Sequence, residues 1–171
     1  PIALVSGLGV ALLSTAHLYG DGSTYANKPS VDVDLSATAI EDAHIAVLKF
    51  KTNAQLTAPV MPLSLHIPPD YVHVAERITK SQYRPGSADN DVNSIYTLGL
   101  FPQGVHVHQF LTDTDSWFIK TDANDGLKIF ERAALSFGQT EEWDTDVVKM
   151  KATMRFVPGV SNPRAIYGSL G

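Results

Sequence analysis

Strict alternation of apolar and polar side chains over 147–157 is the strongest pattern in this sequence. The apolar and polar series are Val148, Met150, Ala152, Met154 and Phe156 against Lys149, Lys151, Thr153 and Arg155. A period of two is typical of a β-strand with one buried face and one wet face. At about 3.3 Å per residue the strand would reach roughly 36 Å, and Pro158-Gly159 is expected to end it. It carries no nucleophile, acid or metal ligand, so it suits a building element better than an active site.

Helical spacing predicts two helices. Apolar residues at 40, 43, 47 and 50 form one stripe, which predicts a helix over 37–51. Ser36 is expected to be its N-cap, with Thr38 and Glu41 as a competing capping box. The second helix is expected to follow Pro68-Pro69 and to run to about residue 80, with its inner face at 72, 75 and 78.

Shorter apolar runs predict strands at 9–17, 31–35, 63–67, 105–111, 117–120 and 127–133. Clusters of Gly, Asn, Asp and Pro predict loops at 19–29, 83–90 and 122–126, and a turn at 89–93 that leads into a short helical turn before Leu98. The polar stretch 136–145 is expected to be a loop with Trp143 folded back on the core. These elements predict an α+β fold in one domain, or in one domain with an extended appendage.

Composition narrows the function classes. The chain has 171 residues, 44% of them hydrophobic and 18% charged, with no cysteine and a net charge of −5. Disulfides and thiolate chemistry are excluded, and the negative charge argues against a general nucleic-acid binder. No apolar run is long enough for a membrane helix. Because the chain begins with proline, we expect it to be a fragment whose N-terminal part was removed or is missing.

His106 and His108 are two apart on a predicted strand and should point to the same face, with Asp113 or Asp115 as a further carboxylate. This is a weak metal-site pattern because no distant third ligand is evident, and a polar strand face is the alternative. His66 and His73 bracket a predicted helix start and are expected to be surface or boundary residues.

Acidic residues at 141, 142, 144 and 146 could bind a divalent cation, but they are more typical of a solvated face or of intersubunit salt bridges. Lys149, Lys151 and Arg155 share one face of the predicted strand and could meet such acids on a neighbouring copy. No residue is assigned a catalytic, cofactor-binding or metal-binding role.

The order of the segments resembles a known family. GVALLSTAH, LSATAIEDAHIAVLKF, LSLHIPPDYVHVAERI, NDVNSIY, TDTDSWFIKT and NPRAIYGS follow one another as in the C-terminal two thirds of tailed-phage major capsid proteins, especially Mu-like major head subunits. The resemblance covers nearly the whole chain. It implies the Hong Kong 97 type fold, which has a peripheral domain with a spine helix and long strands, and an axial domain.

On this resemblance, residues 1–58 belong to the peripheral domain and include the spine helix at 36–51. Residues 59–120 form the axial domain, and 121–171 return to the peripheral domain with the long strand. The family's N-terminal arm and most of its extended loop would precede Pro1. Those parts make many contacts between subunits in the family, so this chain alone is not expected to assemble as the complete protein would.

The implied function is a structural major head protein that self-assembles into the icosahedral shell around phage double-stranded DNA. It would assemble in the host cytoplasm, reside in the virion, and need no enzymatic activity and no cofactor. Implied partners are its own copies in pentamers and hexamers, scaffolding, portal or decoration proteins, and packaged DNA through non-specific contacts, with no membrane. The expected assembly residues are Tyr83, Pro85 and Asn90 in an axial loop, and Lys149, Lys151 and Arg155. The alternatives are an encapsulin-like shell protein and a small metalloenzyme using His106, His108 and an aspartate.

Overall fold

The computed structural model of the chain describes residues 10–84, 91–142, 144 and 146–171. In chain order the elements are β1 (His17–Leu18), β2 (Thr24–Tyr25), α1 (Ala37–Leu48), β3 (Pro62–Ile67), α2 (Val72–Lys80), α3 (Ser94–Thr97), β4 (Val105–Val107), β5 (Trp117–Thr121), β6 (Leu127–Glu142), β7 (Val147–Val160) and β8 (Ile166–Ser169). Short 3-10 turns at Pro69–Tyr71 and Pro163–Ala165 lead into α2 and β8. The mixture of helix and sheet predicted from the sequence is confirmed.

Four strands in the order β4-β3-β5-β8 form the central sheet. β5 runs antiparallel to β3 and to β8, whereas β4 lies parallel to β3. Parallel neighbours need a crossover, which the chain between β3 and β4 supplies with α2 and α3. On one face of the sheet the centre is buried, with Leu65, Ile67, Trp117 and Ile119 in the core.

Helix α1 packs its apolar stripe into the same core. Ser36 is the N-cap, and its Oγ accepts a hydrogen bond from the Ala39 N–H at 3.1 Å, whereas Glu41 accepts instead from the Ser94 hydroxyl. The helix ends at Leu48, earlier than predicted. A tight turn then carries Phe50 into the core, where it is 3% exposed.

The second helix is preceded by a 3-10 turn that begins at Pro69, and α2 itself starts at Val72. The side chain of Asn93 connects the end of α2 to the start of α3 through hydrogen bonds. The Asn93 Oδ1 accepts from the Ile95 N–H, and its Nδ2 donates to the carbonyls of Ile78 and Ser81 at 2.7 and 2.9 Å. The short helical turn predicted before Leu98 is therefore confirmed and has a side-chain cap.

Three strand predictions fail wholly or in part. Residues 31–35 form no strand, because their polar backbone groups bond to side chains: the Val33 N–H donates to Ser169 Oγ, and its carbonyl accepts from Trp117 Nε1. The strand predicted at 105–111 ends at Val107. Within the described part of 9–17, only His17 lies in a named strand, and residue 9 lies outside the described residues.

Asn27 ties the N-terminal loop to the C-terminal segment. Its side chain is fully buried, and its Nδ2 donates to the carbonyls of Leu12, Pro163 and Ile166 at 2.7, 3.0 and 3.2 Å. Its Oδ1 accepts from the Ser14 N–H at 2.8 Å and from His17 Nε2 at 3.1 Å. One amide in a turn-rich loop therefore satisfies polar groups from both ends of the described chain.

The long strand pairs with an equally long partner to form a two-stranded antiparallel hairpin, β6–β7. The predicted strand at 127–133 continues to Glu142, so the loop predicted at 136–145 is wrong for its first seven residues. Polar residues 136–142 adopt strand geometry because they pair with β7. Trp143 lies outside the described residues.

The register of the hairpin shifts twice, between Glu131 and Ala133 and between Ala133 and Ser136. Each shift is a bulge that adds one residue to β6. β7 also runs past Pro158 to Val160, because in a two-stranded ribbon a proline that lacks an N–H can face solvent. All of β7 from residue 147 to 158 is exposed, so the predicted buried face is wrong.

Candidate functional site

The hairpin presents two chemically distinct faces. Pairing places Lys149 opposite Thr140, Lys151 opposite Gly138 and Arg155 opposite Ala133, and all three cations fall on one side, which we call the basic face. The missing side chain at Gly138 makes room for the Lys151 stem, since an added Cβ would lie 3.0 Å from its Cε. Neither Lys151 nor Arg155 pairs with a carboxylate of the described residues.

The opposite side, which we call the apolar face, is exposed to an unusual degree. Large side chains there are exposed by half or more of their surface: Ile129 73%, Phe137 80%, Met150 78%, Met154 51% and Phe156 51%. Soluble monomers rarely expose contiguous apolar surface of this kind, and such patches mark interaction sites. The sequence identified Met150, Met154 and Phe156 correctly as one face but predicted that this face would be buried, and it placed Phe137 in a loop.

Of the residues predicted to lie in an axial loop, Tyr83 is among the described residues. Tyr83 is 52% exposed and forms an antiparallel bridge with Val92, which closes the loop at its base. Pro85 and Asn90 lie outside the described residues. The structure therefore brings the three predicted cations together on one surface, while the role expected of the loop stays a prediction.

Three imidazoles stack where β4 joins β3. His66 and His106 are neighbours in the parallel register, with ring centroids 5.1 Å apart, and His108 stacks on His66 at 5.0 Å. His66 Nδ1 lies 2.7 Å from His108 Nε2, and His66 Nε2 lies 2.9 Å from the Ser64 hydroxyl. The sequence pointed to His106 and His108 but placed His66 at a boundary, because a single strand does not reveal which strand lies beside it.

The surroundings of His66 favour its neutral imidazole. Burial lowers the pKa of His66 to about 4, and His108, His106 and Lys120 shift it in the same direction. The His66–His108 hydrogen bond can hold one shared proton, but two protonated rings would turn an N–H toward an N–H.

No three acidic or histidine side chains among the described residues are arranged to hold a metal ion. The rings lie nearly parallel, with interplanar angles of 23° and 18°, so their lone pairs do not converge on one point. Asp115 hydrogen-bonds with Asp113, and this contact raises the pKa of the Asp115 carboxyl. The predicted aspartates therefore pair with each other.

A cleft of about 630 Å³ opens beside the imidazoles, at the base of the hairpin. We call it the Lys120 cleft. His66, His108, Lys120 and Thr121 are its polar residues, and its walls are mainly apolar: Leu111, Phe118, Ala123, Leu127, Ala165 and Ile166. No helix in the described part of the chain is long and apolar enough to cross a membrane.

Comparison with known proteins identifies the family. The sequence profile of the family described as phage capsid protein matches residues 3–169. No curated protein matches the chain. A solved structure similar to it is the crystal structure of a virus-like particle from Pyrococcus furiosus, with 14% identity and a TM-score of 0.47, covering 83% of this chain and 55% of that chain. The chain thus spans about half the length of that structure. Because the family profile extends over nearly every residue, the chain belongs to the phage capsid protein family.

Proposed function

We propose that this chain is a major capsid subunit that self-assembles into an icosahedral shell enclosing phage double-stranded DNA. Family membership supports a structural role in a shell, in the virion. The observation that carries the proposal is the apolar face of the hairpin, which the described residues leave uncovered. Burial of apolar surface is the main driving force of protein association. A second copy is the partner always present during shell assembly.

We assign the chain to the Hong Kong 97 type fold. In this assignment α1 is the spine helix, β7 is the long strand of the peripheral domain, and residues 59–120 form the axial domain. Twelve residues give α1 a length of about 18 Å. Pentamers and hexamers would be held by many modest contacts acting together, with scaffolding, portal or decoration proteins as further partners and packaged DNA in non-specific contact.

The basic face is proposed to contact acidic residues of an adjacent subunit. Lys151 and Arg155 are exposed and lack partners within the described chain, so they are available to a neighbour. Lys151→Glu should weaken assembly and change its salt dependence, because screened ion pairs lose strength as ionic strength rises. Assembly of this variant with an unaltered salt dependence would remove the role.

The loop that follows Tyr83 is proposed to help close the capsomer ring. Tyr83 is half exposed at the base of that loop, where a neighbour could cover it. Tyr83→Ser should reduce the yield of closed capsomers in native mass spectrometry. Unchanged capsomer yield would count against this role.

The central experiment is assembly of the purified chain at increasing concentration, followed by sedimentation and electron microscopy. We expect shells or capsomers from the wild type, and only small species from a Phe137→Ser, Met150→Ser double variant that keeps the same circular dichroism. Val31→Ser is the matched control, since Val31 is 73% exposed but lies outside the hairpin.

A wild-type chain that stays monomeric at every concentration would refute the proposal. If the Phe137→Ser, Met150→Ser variant assembles as well as the wild type, the apolar face does not drive assembly and the proposal loses its main support. The contents of particles made in cells then separate two kinds of shell, because nucleic acid supports a phage head and an enclosed protein supports an encapsulin-like compartment.

A further inference from the structure

The hairpin tip, defined here as residues 137–142, 144 and 146–150, combines apolar and acidic groups. Phe137 and Met150 lie on the same face, because the Phe137–Ala152 pair and the Gln139–Met150 pair are two positions apart on the ladder. They are 80% and 78% exposed. Acidic residues continue beyond them to the end of the ribbon: Glu141, Asp144 and Asp146, all exposed.

The Lys120 cleft has the complementary character. Its apolar walls lie next to Lys120, which is exposed and takes part in no ion pair with the described residues, and next to the imidazoles of His66 and His108. A volume of about 630 Å³ lies in the range of pockets that bury a substantial ligand group.

The chain cannot fill this cleft with its own tip. Leu127 lies in the wall of the cleft and begins β6, and Phe137 is ten residues farther along the ribbon. At about 3.3 Å per residue the separation is roughly 33 Å. A paired ribbon cannot fold back on itself without breaking its ladder, so a hairpin tip that fills this cleft must belong to another copy.

We propose that the hairpin tip of one subunit docks in the Lys120 cleft of a second copy, with Phe137 and Met150 against the apolar walls and Glu141 near Lys120. This inference rests on the proposed shell function and names the contact. Tip and cleft are different surfaces, so the contact is head-to-tail. Such contacts close into rings or continue as open chains.

Site-directed crosslinking tests the contact directly, because the natural sequence has no cysteine. Phe137→Cys and Leu111→Cys single variants are mixed under assembly conditions and treated with a short bis-maleimide. We expect covalent dimers containing one chain of each kind, and far fewer when Leu98→Cys, which lies outside the cleft, replaces Leu111→Cys. Absence of tip-to-cleft dimers in assembled material would overturn the inference, as would crosslinks that join two hairpins instead.

Charge exchange provides an independent test. Lys120→Glu should raise the concentration needed for assembly by roughly tenfold or more, because it brings like charges together at an interface. Glu141→Lys combined with Asp144→Lys should do the same, and the variant carrying all three changes should recover. If wild type assembles and these variants behave like it, the docking inference fails while the shell function stands. If wild type does not assemble at all, the proposed function fails first.

Discussion

Replacing Asn27 should destabilise the whole fold. This side chain is fully buried and makes five hydrogen bonds, two of them between buried groups: to the Pro163 carbonyl and from His17 Nε2. Asn27→Ala leaves the Pro163 carbonyl and His17 Nε2 without this hydrogen-bond partner. It also removes three part-buried hydrogen bonds. A buried group left unsatisfied costs about 1–3 kcal/mol. Allowing for relaxation around the site, we expect a loss of about 3–5 kcal/mol, a large share of the stability of a typical domain.

Urea unfolding of the unassembled subunit, followed by circular dichroism, measures this loss. Asn27→Leu separates hydrogen bonding from volume, because leucine fills the space but restores none of the bonds, and we expect it to unfold almost as easily as Asn27→Ala. Asn53→Ala is the matched control. Its side chain is exposed and accepts from Arg164 Nη2 at 2.8 Å, so its loss should stay below about 1 kcal/mol. A loss under about 1 kcal/mol for both Asn27 variants would refute the reasoning.

Three further predictions concern the central sheet and its helices. The lowered pKa of His66 means that the unfolded chain binds more protons between pH 6.5 and about 4, so stability should fall as pH decreases through this window, and His66→Gln should flatten that dependence in urea titrations. Gly168→Ala should cost about 1–3 kcal/mol in the same assay, because the new Cβ would lie 2.7 Å from Phe118 Cδ1 and 2.8 Å from the Trp117 carbonyl oxygen. Asn93→Ala should cost about 2–3 kcal/mol by removing the α3 cap and two bonds to the end of α2.

Each of the three predictions would be contradicted by a specific result. An unchanged pH dependence in His66→Gln would show that the imidazole stack does not govern acid stability. Wild-type stability in Gly168→Ala would mean that β8 can shift away from β5 without cost. A loss below about 0.5 kcal/mol for Asn93→Ala would show that solvent replaces its bonds.

Local patterns in the sequence predicted the elements whose partners are nearby. The stripe at Ile40, Ala43 and Val47 predicted the buried face of α1, because residues three and four apart lie on the same side of a helix. Ser36 predicted where the helix begins. The strands at 63–67 and 117–120 were predicted within a residue or two. Membership of a phage capsid family, expected from the order of several segments, is confirmed by a match over residues 3–169.

Features that depend on distant pairing were missed. Residues 136–142 are polar and include Gly138, so they resemble a loop until β7 is placed beside them. Alternation along β7 showed two faces, but it could not show that the covering surface is absent from the described chain. His66 joined His106 only through the parallel β3–β4 pairing, which spans a crossover of almost forty residues. Long-range pairing of this kind leaves no trace in local periodicity.

The two bulges in β6 determine which residues the hairpin can display. Each bulge sets two residues of β6 against one residue of β7, so odd-numbered residues of β6 change face at the first bulge and return to the original face at the second. Phe137 therefore points the same way as Ile129 despite the interruption. Loss of one surplus residue between 131 and 136 would remove one bulge and leave Phe137 opposite Ala152 on the apolar face, because directly paired residues share a face. Loss of both would give a regular ladder with the same partners beyond it. Length changes of this size should consequently be absorbed by the bulges, without turning the outer half of β6 over.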